Sequence, residues 1–390
     1  MTATYLNALG VTCSLGQGKA AVAAALFGTD DHGLAALDGW VPGHALPLGN
    51  VDVTLPAVAP ERDTRNNRLL KQAVEEIRAD VDAAIARFGA DRIGVVIGTS
   101  TTGIEEATGH IAARGRDGVW PESYRYADQE LGAPAESLAE WLGLAGPCYG
   151  ISTACTSGAR ALLSAQRMLR LGLCDAVICG GADTLCRLAI RGFHALEATA
   201  PERCQPFSAS RRGINIGEAA AVFLMTREPA DVTFLGGGAS SDAYHMSSPE
   251  PDGRGASEAM RLALNATGLD ASMIDYVNLH GTATEQNDAM ESRAVAAVLG
   301  TQVPCSSTKA LTGHTLGAAG ALEAAFCWLS LRDAERRLPP HHWDGQFDPA
   351  LPALHFVASG DRLAPGRRHL MSNSFAFGGN NASLILADAA

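Results

Sequence analysis

Two stretches of this sequence, residues 156–171 and 315–332, have the Ala/Leu-rich composition of long helices yet are apolar on nearly every side. A helix without a polar face must be covered all round. Around them, short apolar runs ending in Gly or small polar residues (92–98, 175–181, 276–280) alternate with longer helical patterns. That is the rhythm of an α/β protein with buried strands, so both helices are expected in a layer between sheets.

Composition narrows the function classes. The 390 residues are 47% hydrophobic and only 18% charged, enough apolar material for a large core and too little charge for a disordered chain. Thirty Lys and Arg against 42 Asp and Glu leave a net charge of -12, which argues against general binding to nucleic acid or an anionic membrane. The first cationic side chain is Lys19, and no apolar run is long enough for a spanning helix. These features predict a cytoplasmic protein without a signal peptide or membrane span. Nine cysteines, none in a C-x-x-C pair, read as reduced buried thiols, with no metal site implied.

The chain also repeats itself weakly. Residues 8–14 resemble 236–242, the strand ending at Gly98-Thr99 resembles the one ending at His280-Gly281, and Ser152-Thr153 before the first buried helix resembles Ser307-Thr308 before the second. One such match arises easily by chance; three in the same order predict two similar halves, 1–230 and 231–390. The first half is longer, and its surplus is expected in the turn-rich stretches 28–60 and 103–134.

Three residues stand out chemically. Cys155 lies in a run of small residues, 151–158, between a strand and the first buried helix. There, free backbone N–H groups and the helix dipole would favour a thiolate nucleophile and receive a developing oxyanion. His280 sits at the end of a strand, and His314 opens the second buried helix, where the dipole disfavours imidazolium. A cysteine and two neutral histidines at corresponding sheet ends form a nucleophile-and-base constellation. Lys309 and Glu323 flank His314 in an apolar context and are expected to pair with each other.

The motifs Thr153-Ala-Cys155-Thr-Ser-Gly158, His280-Gly-Thr282-x-Thr284, Ser307-Thr-Lys309-x-x-x-Gly-His314 and Asn373-Ser-Phe375-Ala-Phe377-Gly378-Gly379 resemble those of the condensing β-ketoacyl-[acyl-carrier-protein] synthases. The resemblance implies a thiolase-like fold, two similar halves in a five-layered αβαβα architecture. It also implies an acyltransferase catalysing decarboxylative Claisen condensation, of the elongating Cys-His-His type, with no metal or redox cofactor. By this resemblance Cys155 carries the acyl group delivered by an acyl carrier protein, and His280 and His314 bind the malonyl thioester carbonyl. Lys309 holds His314 and its surroundings in place with Glu323. The N–H groups of Cys155 and Phe377 form an oxyanion hole, Phe375, Phe377 and Gly378 gate the acyl channel, and Thr282 and Thr284 bind phosphopantetheine.

A docking surface for an acidic carrier is expected on Arg62, Arg65, Arg68 and Lys71, spaced every three residues into a helical pattern, with Arg211 and Arg212 resembling a second basic position of the family. Glu285 and Gln286 stand where the family often has Pro or a small residue, and Asn380-Asn381 where Thr-Asn is common. Thr101 falls at the bottom of the family's acyl pocket, pointing to a specialised chain such as an aryl polyene or a type II polyketide. The family's dimers pair through the first-half sheet, either as homodimers or with a chain-length-factor-like paralogue. A non-catalytic chain-length partner is the rival reading, disfavoured by the intact Cys-His-His set; a degradative thiolase would need a later cysteine, and none follows Cys327.

Overall fold

The computed structural model describes residues 3–28 and 33–389; residues 29–32, within the first expected insertion, lie outside it. The strands are β1 (Thr4–Cys13), β2 (Gly16–Gln17), β3 (Ala35–Val41), β4 (His44–Leu48), β5 (Ile93–Gly98), β6 (Cys148–Ile151) and β7 (Ala176–Asp183). They continue as β8 (Ala219–Thr226), β9 (Val232–Ser241), β10 (Tyr276–Asn278), β11 (Pro304–Ser306), β12 (His355–Phe356), β13 (His369–Ala376) and β14 (Asn380–Asp388). The first helices are α1 (Gly18–Leu26), α2 (Arg65–Glu76), α3 (Arg78–Phe88), α4 (Ile104–Asp117), α5 (Ala133–Leu142) and α6 (Ser157–Arg170). They are followed by α7 (Arg187–Ala195), α8 (Arg254–Thr267), α9 (Glu285–Leu299), α10 (Lys309–Thr312) and α11 (Ala319–Arg332).

Strand order runs β6-β5-β7-β8-β1 through the first half and β11-β10-β13-β14-β9 through the second, with β12 added beyond β11. Pairing follows the same pattern in each: two parallel neighbours, then two antiparallel ones. The half-sheets touch edge to edge where Thr4 and Tyr5 of β1 pair with Phe234 and Thr233 of β9. Side chains of β5 and β7 alternate between two cores. Val96, Val177 and Cys179 face the central layer, while Ile93, Val95, Ile97 and Ile178 face the outer helices α2 and α5. Burial on both faces is why these runs carry no polar alternation. With α8 and α9 packed against the second half-sheet, the result is five layers, αβαβα, the thiolase-like arrangement anticipated above.

In the central layer α6 packs on α11 through a reciprocal contact. A Cβ on Gly158 would lie 2.7 Å from the Ala321 nitrogen, and one on Gly320 would lie 2.8 Å from the Ala159 nitrogen. The Gly-Ala pair of each helix thus fits against the Gly-Ala pair of the other. The two helices are not equally covered. α11 is buried along nearly its whole circumference, whereas Arg167 and Arg170 give α6 an exposed side, contrary to the all-round burial expected for it. Its arginines at i, i+7 and i+10 carry that polar side, which an Ala/Leu-weighted reading passed over. The segment around α4 (104–129) has no counterpart between β10 and β11.

Replacing Gly158 by Leu is expected to lower stability by about 1–3 kcal/mol, because the α6–α11 contact has no room for a side chain. The check is a lower urea midpoint at unchanged m-value, with exposed Gly115→Ala, which has open space around its Cβ, as the neutral or mildly stabilising control.

Candidate active site

The turn between β6 and α6 places the nucleophile. Ala154 adopts φ 51°, and the turn is tied by Thr153 N–H to Ser157 Oγ at 2.9 Å and by the Thr156 hydroxyl to the Thr153 carbonyl at 2.8 Å. Cys155 is thereby turned inward, 6% exposed, at the N-terminus of α6. From the other half, His314 reaches it: Nε2 lies 2.9 Å from Cys155 Sγ. The His280 ring stands edge-on to His314 with centroids 5.2 Å apart. The structure brings together all three residues of the sequence constellation.

The His314 backbone is held by the first half, with its N–H on the Asn215 carbonyl at 2.6 Å and its carbonyl receiving Gly217 N–H at 3.0 Å. His280 is held by α9: its N–H and that of Gly281 donate to the two oxygens of Glu291, each at 2.7 Å. Asp288, one helical turn earlier, accepts from Phe207 and Ala283 N–H. Burial pushes Glu291 up to about 8 and Asp288 up to about 6 against those donors. Sequence reading missed Glu291; the signal was a second acid at i+3 from Asp288, on the same face of α9.

Lys309, 2% exposed, pairs with Glu323 as expected, and burial pushes that carboxyl up to about 7 against the ammonium's pull. Its other contacts are to the surroundings of His314 and not to His314 itself. Lys309 Nζ donates to the His280 carbonyl and lies 3.4 Å from His280 Nδ1; it makes no hydrogen bond to His314. Lys309 is the first residue of α10, and His280 follows β10. Both histidines are held neutral, well below the usual range, chiefly by burial and then by the Lys309 charge.

The thiolate expectation is also corrected. Burial pushes the Cys155 thiol up to about 12, with Lys309 and the Phe377 N–H pulling the other way too weakly to reverse it. In so dry a site the cost of a charge exceeds what the helix terminus and these donors return, and His314 Nε2 is the imidazole nitrogen within hydrogen-bond reach of the thiol. Cys155, His280 and His314 also form a donor cluster with ligand atoms within 4.8 Å. Its 2.9 Å sulfur–nitrogen contact has hydrogen-bond length, and the Lys309 ammonium sits beside His280.

A cavity of about 670 Å³ opens above these residues, lined by Phe193, Arg212, Thr282, Thr284, Phe375 and Phe377 among others. The hydroxyls of Thr282 and Thr284 are 3.0 Å apart. Glu285 and Gln286 line the same cavity, and Asn381 holds Asp242 at 2.7 Å. Phe377 and Gly378 occupy the turn between β13 and β14, with Gly378 at φ 81°, where only glycine is unstrained, and the Phe377 ring 5.4 Å from that of Phe193. Phe375 is not on that loop: it belongs to β13, is 5% exposed and faces His280 at 6.2 Å.

Two further groups of expected residues have other partners in this structure. Thr101 lies outside the cavity lining; it is buried with its hydroxyl donated to Asp183 at 2.8 Å. The basic stripe is not a free surface. Arg62 sits in a 3-10 turn before α2 and pairs with Glu140 at 2.5 Å, Arg65 with buried Glu218 at 2.5 Å, Arg68 with Asp63 at 2.5 Å, and Lys71 with Glu75 at 3.8 Å. The periodicity was real from Arg65 onward; Glu140 and Glu218 come from distant segments to meet Arg62 and Arg65, while Asp63 and Glu75 are sequence neighbours of Arg68 and Lys71. Arg211 is likewise engaged, 2.6 Å from Asp348, while Arg212 is exposed at the cavity with no ion pair among the described residues. All nine cysteines are unpaired, and among the described residues no helix is long and apolar enough to cross a membrane.

A thiol pushed up to about 12 predicts that iodoacetamide alkylation of Cys155 keeps accelerating through pH 9–10. A plateau below pH 8, read by peptide mass spectrometry, would contradict this assignment. Lys309→Ala, which strands a buried carboxylate, is expected to cost about 3–5 kcal/mol in chemical denaturation.

Residues 49–230 match the family model "Beta-ketoacyl synthase, N-terminal domain", and residues 232–342 match "Beta-ketoacyl synthase, C-terminal domain". The 3-oxoacyl-[acyl-carrier-protein] synthase 2 of Vibrio cholerae is 35% identical over 80% of this chain and 79% of its own. Nodulation protein E of Rhizobium meliloti is 31% identical over 97% of each. Among solved structures, a ketosynthase (ApeO) in complex with its chain length factor (ApeC) from Xenorhabdus doucetiae superposes with a TM-score of 0.95 at 46% identity, over 100% of this chain and 98% of that one. With a cysteine and two histidines converging from two like half-sheets, and both family models matched in order, the chain belongs to the β-ketoacyl synthase family.

Proposed function

We propose that this protein is an elongating β-ketoacyl-[acyl-carrier-protein] synthase, an acyltransferase working in the cytoplasm without a metal or redox cofactor. The observation that carries the reading is the 2.9 Å contact between Cys155 Sγ and His314 Nε2 beneath an open cavity, with a second neutral imidazole alongside.

The steps follow from the geometry. The Cys155 thiol gives its proton to His314 as the sulfur attacks the acyl thioester of the carrier. The tetrahedral oxyanion is received by the N–H groups of Cys155 and Phe377, and the carrier thiolate leaves with the proton from His314. In the second half-reaction the malonyl carboxylate departs as carbon dioxide, and the pair of electrons from the broken carbon–carbon bond passes into the thioester carbonyl. Neutral His280 and His314 stabilise the enolate oxygen by hydrogen bonds. Its carbon then attacks the Cys155 acyl thioester, releasing the cysteine sulfur, which regains a proton. Lys309, through its bonds to the His280 carbonyl and Glu323, holds the His280 end of this pair. The described geometry supports Thr282 and Thr284 as the hydroxyls meeting the phosphopantetheine arm, and Phe377 with Gly378 as the mobile part of the acyl gate.

The carrier approaches the cavity mouth, where Arg212 is the unpaired cation, rather than the neutralised stripe of Arg62, Arg65, Arg68 and Lys71. For its subunit partner we favour a chain-length-factor-like paralogue over a second copy. Two similar ketosynthases, the Xenorhabdus doucetiae one and the ishigamide ketosynthase, were each solved with a chain length factor. The strand available for such pairing is β6, the edge of the first half-sheet, which carries exposed Tyr149 and lies beside exposed Leu131. A partner that sets chain length would suit a specialised pathway, such as aryl polyene or type II polyketide assembly, better than housekeeping fatty acid synthesis.

Intact-protein mass spectrometry with saturated, unsaturated and aryl acyl-carrier proteins tests the reading. Wild type is expected to gain the acyl mass and lose it on adding malonyl-carrier protein, and Cys155→Ala to gain none. No acyl mass on wild type with any donor, even beside a co-expressed paralogue, would favour the non-catalytic partner. Arg212→Glu is expected to raise KM for carrier-bound substrate by about 10-fold at low salt, with little change in kcat and a smaller effect at high salt.

A further inference from the structure

We propose that Asp183, which neither the reaction above nor the sequence motifs use, is a positioning residue that sets the distance between His314 and Cys155 across the two halves of the fold. The inference rests on the reading of Cys155 and His314 as a reacting pair.

Asp183 ends β7 and is fully buried. Its carboxylate collects five donors. From the loop after β5 come the hydroxyls of Thr99 and Thr101 and the N–H groups of Ser100 and Thr101, each 2.8 Å from Oδ1. From the second half comes Gly317 N–H, 2.6 Å from Oδ2. Gly317 lies in the short turn Leu316–Ala318 that joins His314 to α11. A Cβ there would stand 2.7 Å from Asp183 Oδ2 and 2.8 Å from Ser100 Oγ, so the turn is seated directly on the first half. Leu316 is held at φ 51° within it.

The segment carrying His314 therefore has two anchors on the first half. Upstream, its backbone joins Asn215 and Gly217; downstream, Gly317 is joined to Asp183. The imidazole itself supplies no anchor of its own on the far side, because His314 Nδ1 is buried without a hydrogen-bond partner. Backbone clamps must then hold Nε2 against Sγ, and only the Asp183 clamp is made by a side chain. An array of five donors suits a carboxylate, with two acceptor oxygens and no proton to place. Asparagine in its place would point an amide N–H at either Gly317 or the threonine loop.

The test reads the cysteine–histidine pair without the condensation reaction. Iodoacetamide alkylation of Cys155 at pH 8 is measured in wild type, Asp183→Asn, His314→Ala and the double variant. Asp183→Asn is expected to slow alkylation by on the order of 10- to 100-fold, the scale of an ångström-level misplacement. It should add little on top of His314→Ala, since the two losses are one interaction. Equal additive losses, or a folded Asp183→Asn with wild-type alkylation, would overturn the proposal. Should Asp183→Asn fail to fold, Thr99→Val loosens the carboxylate without touching Gly317. It is then expected to slow alkylation several-fold in wild type and not in His314→Ala, and an unchanged rate in both would overturn the proposal. If the alkylation pattern holds while no acyl transfer occurs, the positioning role stands and the proposed reaction falls.

Discussion

Everything in this protein hangs on the dry contact between α6 and α11 at the centre of the molecule. Gly158 and Ala159 of one helix fit against Gly320 and Ala321 of the other, with no side chain larger than a methyl among these four residues. Because each helix begins at the end of its own half-sheet, that contact brings the Cys155 turn and the His314 turn to one point. Larger residues would separate the helices, and the 2.9 Å sulfur–nitrogen contact would be lost with them.

The same dryness dictates the electrostatics. A group of ionisable residues lies fully buried around the site, and each is either neutral or matched. Glu323 is matched by Lys309, Glu291 by two backbone N–H groups, and Asp183 by five donors. Burial keeps the cysteine a thiol against the weaker pull of Lys309 and the Phe377 N–H, and burial together with the Lys309 charge keeps the imidazoles neutral. A site of this kind stores no thiolate; it makes one when proton transfer to His314 and attack on the substrate occur together. Neutral imidazoles suit the second half-reaction, where the enolate gains stabilisation from hydrogen bonds formed in an environment of low polarity.

Charge nearer the surface is matched as well. Arg62, Arg65 and Arg68 look like a free basic stripe along the chain, yet each faces a carboxylate within 2.5 Å, from Glu140, Glu218 and Asp63. On a chain of net charge -12 an acid is usually within reach. A cation left without one at a cavity, such as Arg212, therefore says more about an anionic ligand than a run of four does.

The layered α/β architecture, the pairing of like elements in two halves and the choice of Cys155, His280 and His314 were legible from residue order alone. Each depends on short-range features: strand length, small residues at turns, and the position of a reactive side chain at a strand end. Partnership between distant residues was not legible. Lys309 turned to His280 rather than His314, Thr101 was drawn to Asp183 and away from the cavity, and Phe375 lay within β13. Asp183 and Glu291 went unnoticed because a buried carboxylate has no local signature; its meaning comes from donors that other segments deliver. Sequence specified which groups could react, through local propensity and chemistry, whereas tertiary packing decided which charges they feel and which neighbours hold them, because burial and long-range hydrogen bonds exist only once the two halves have closed.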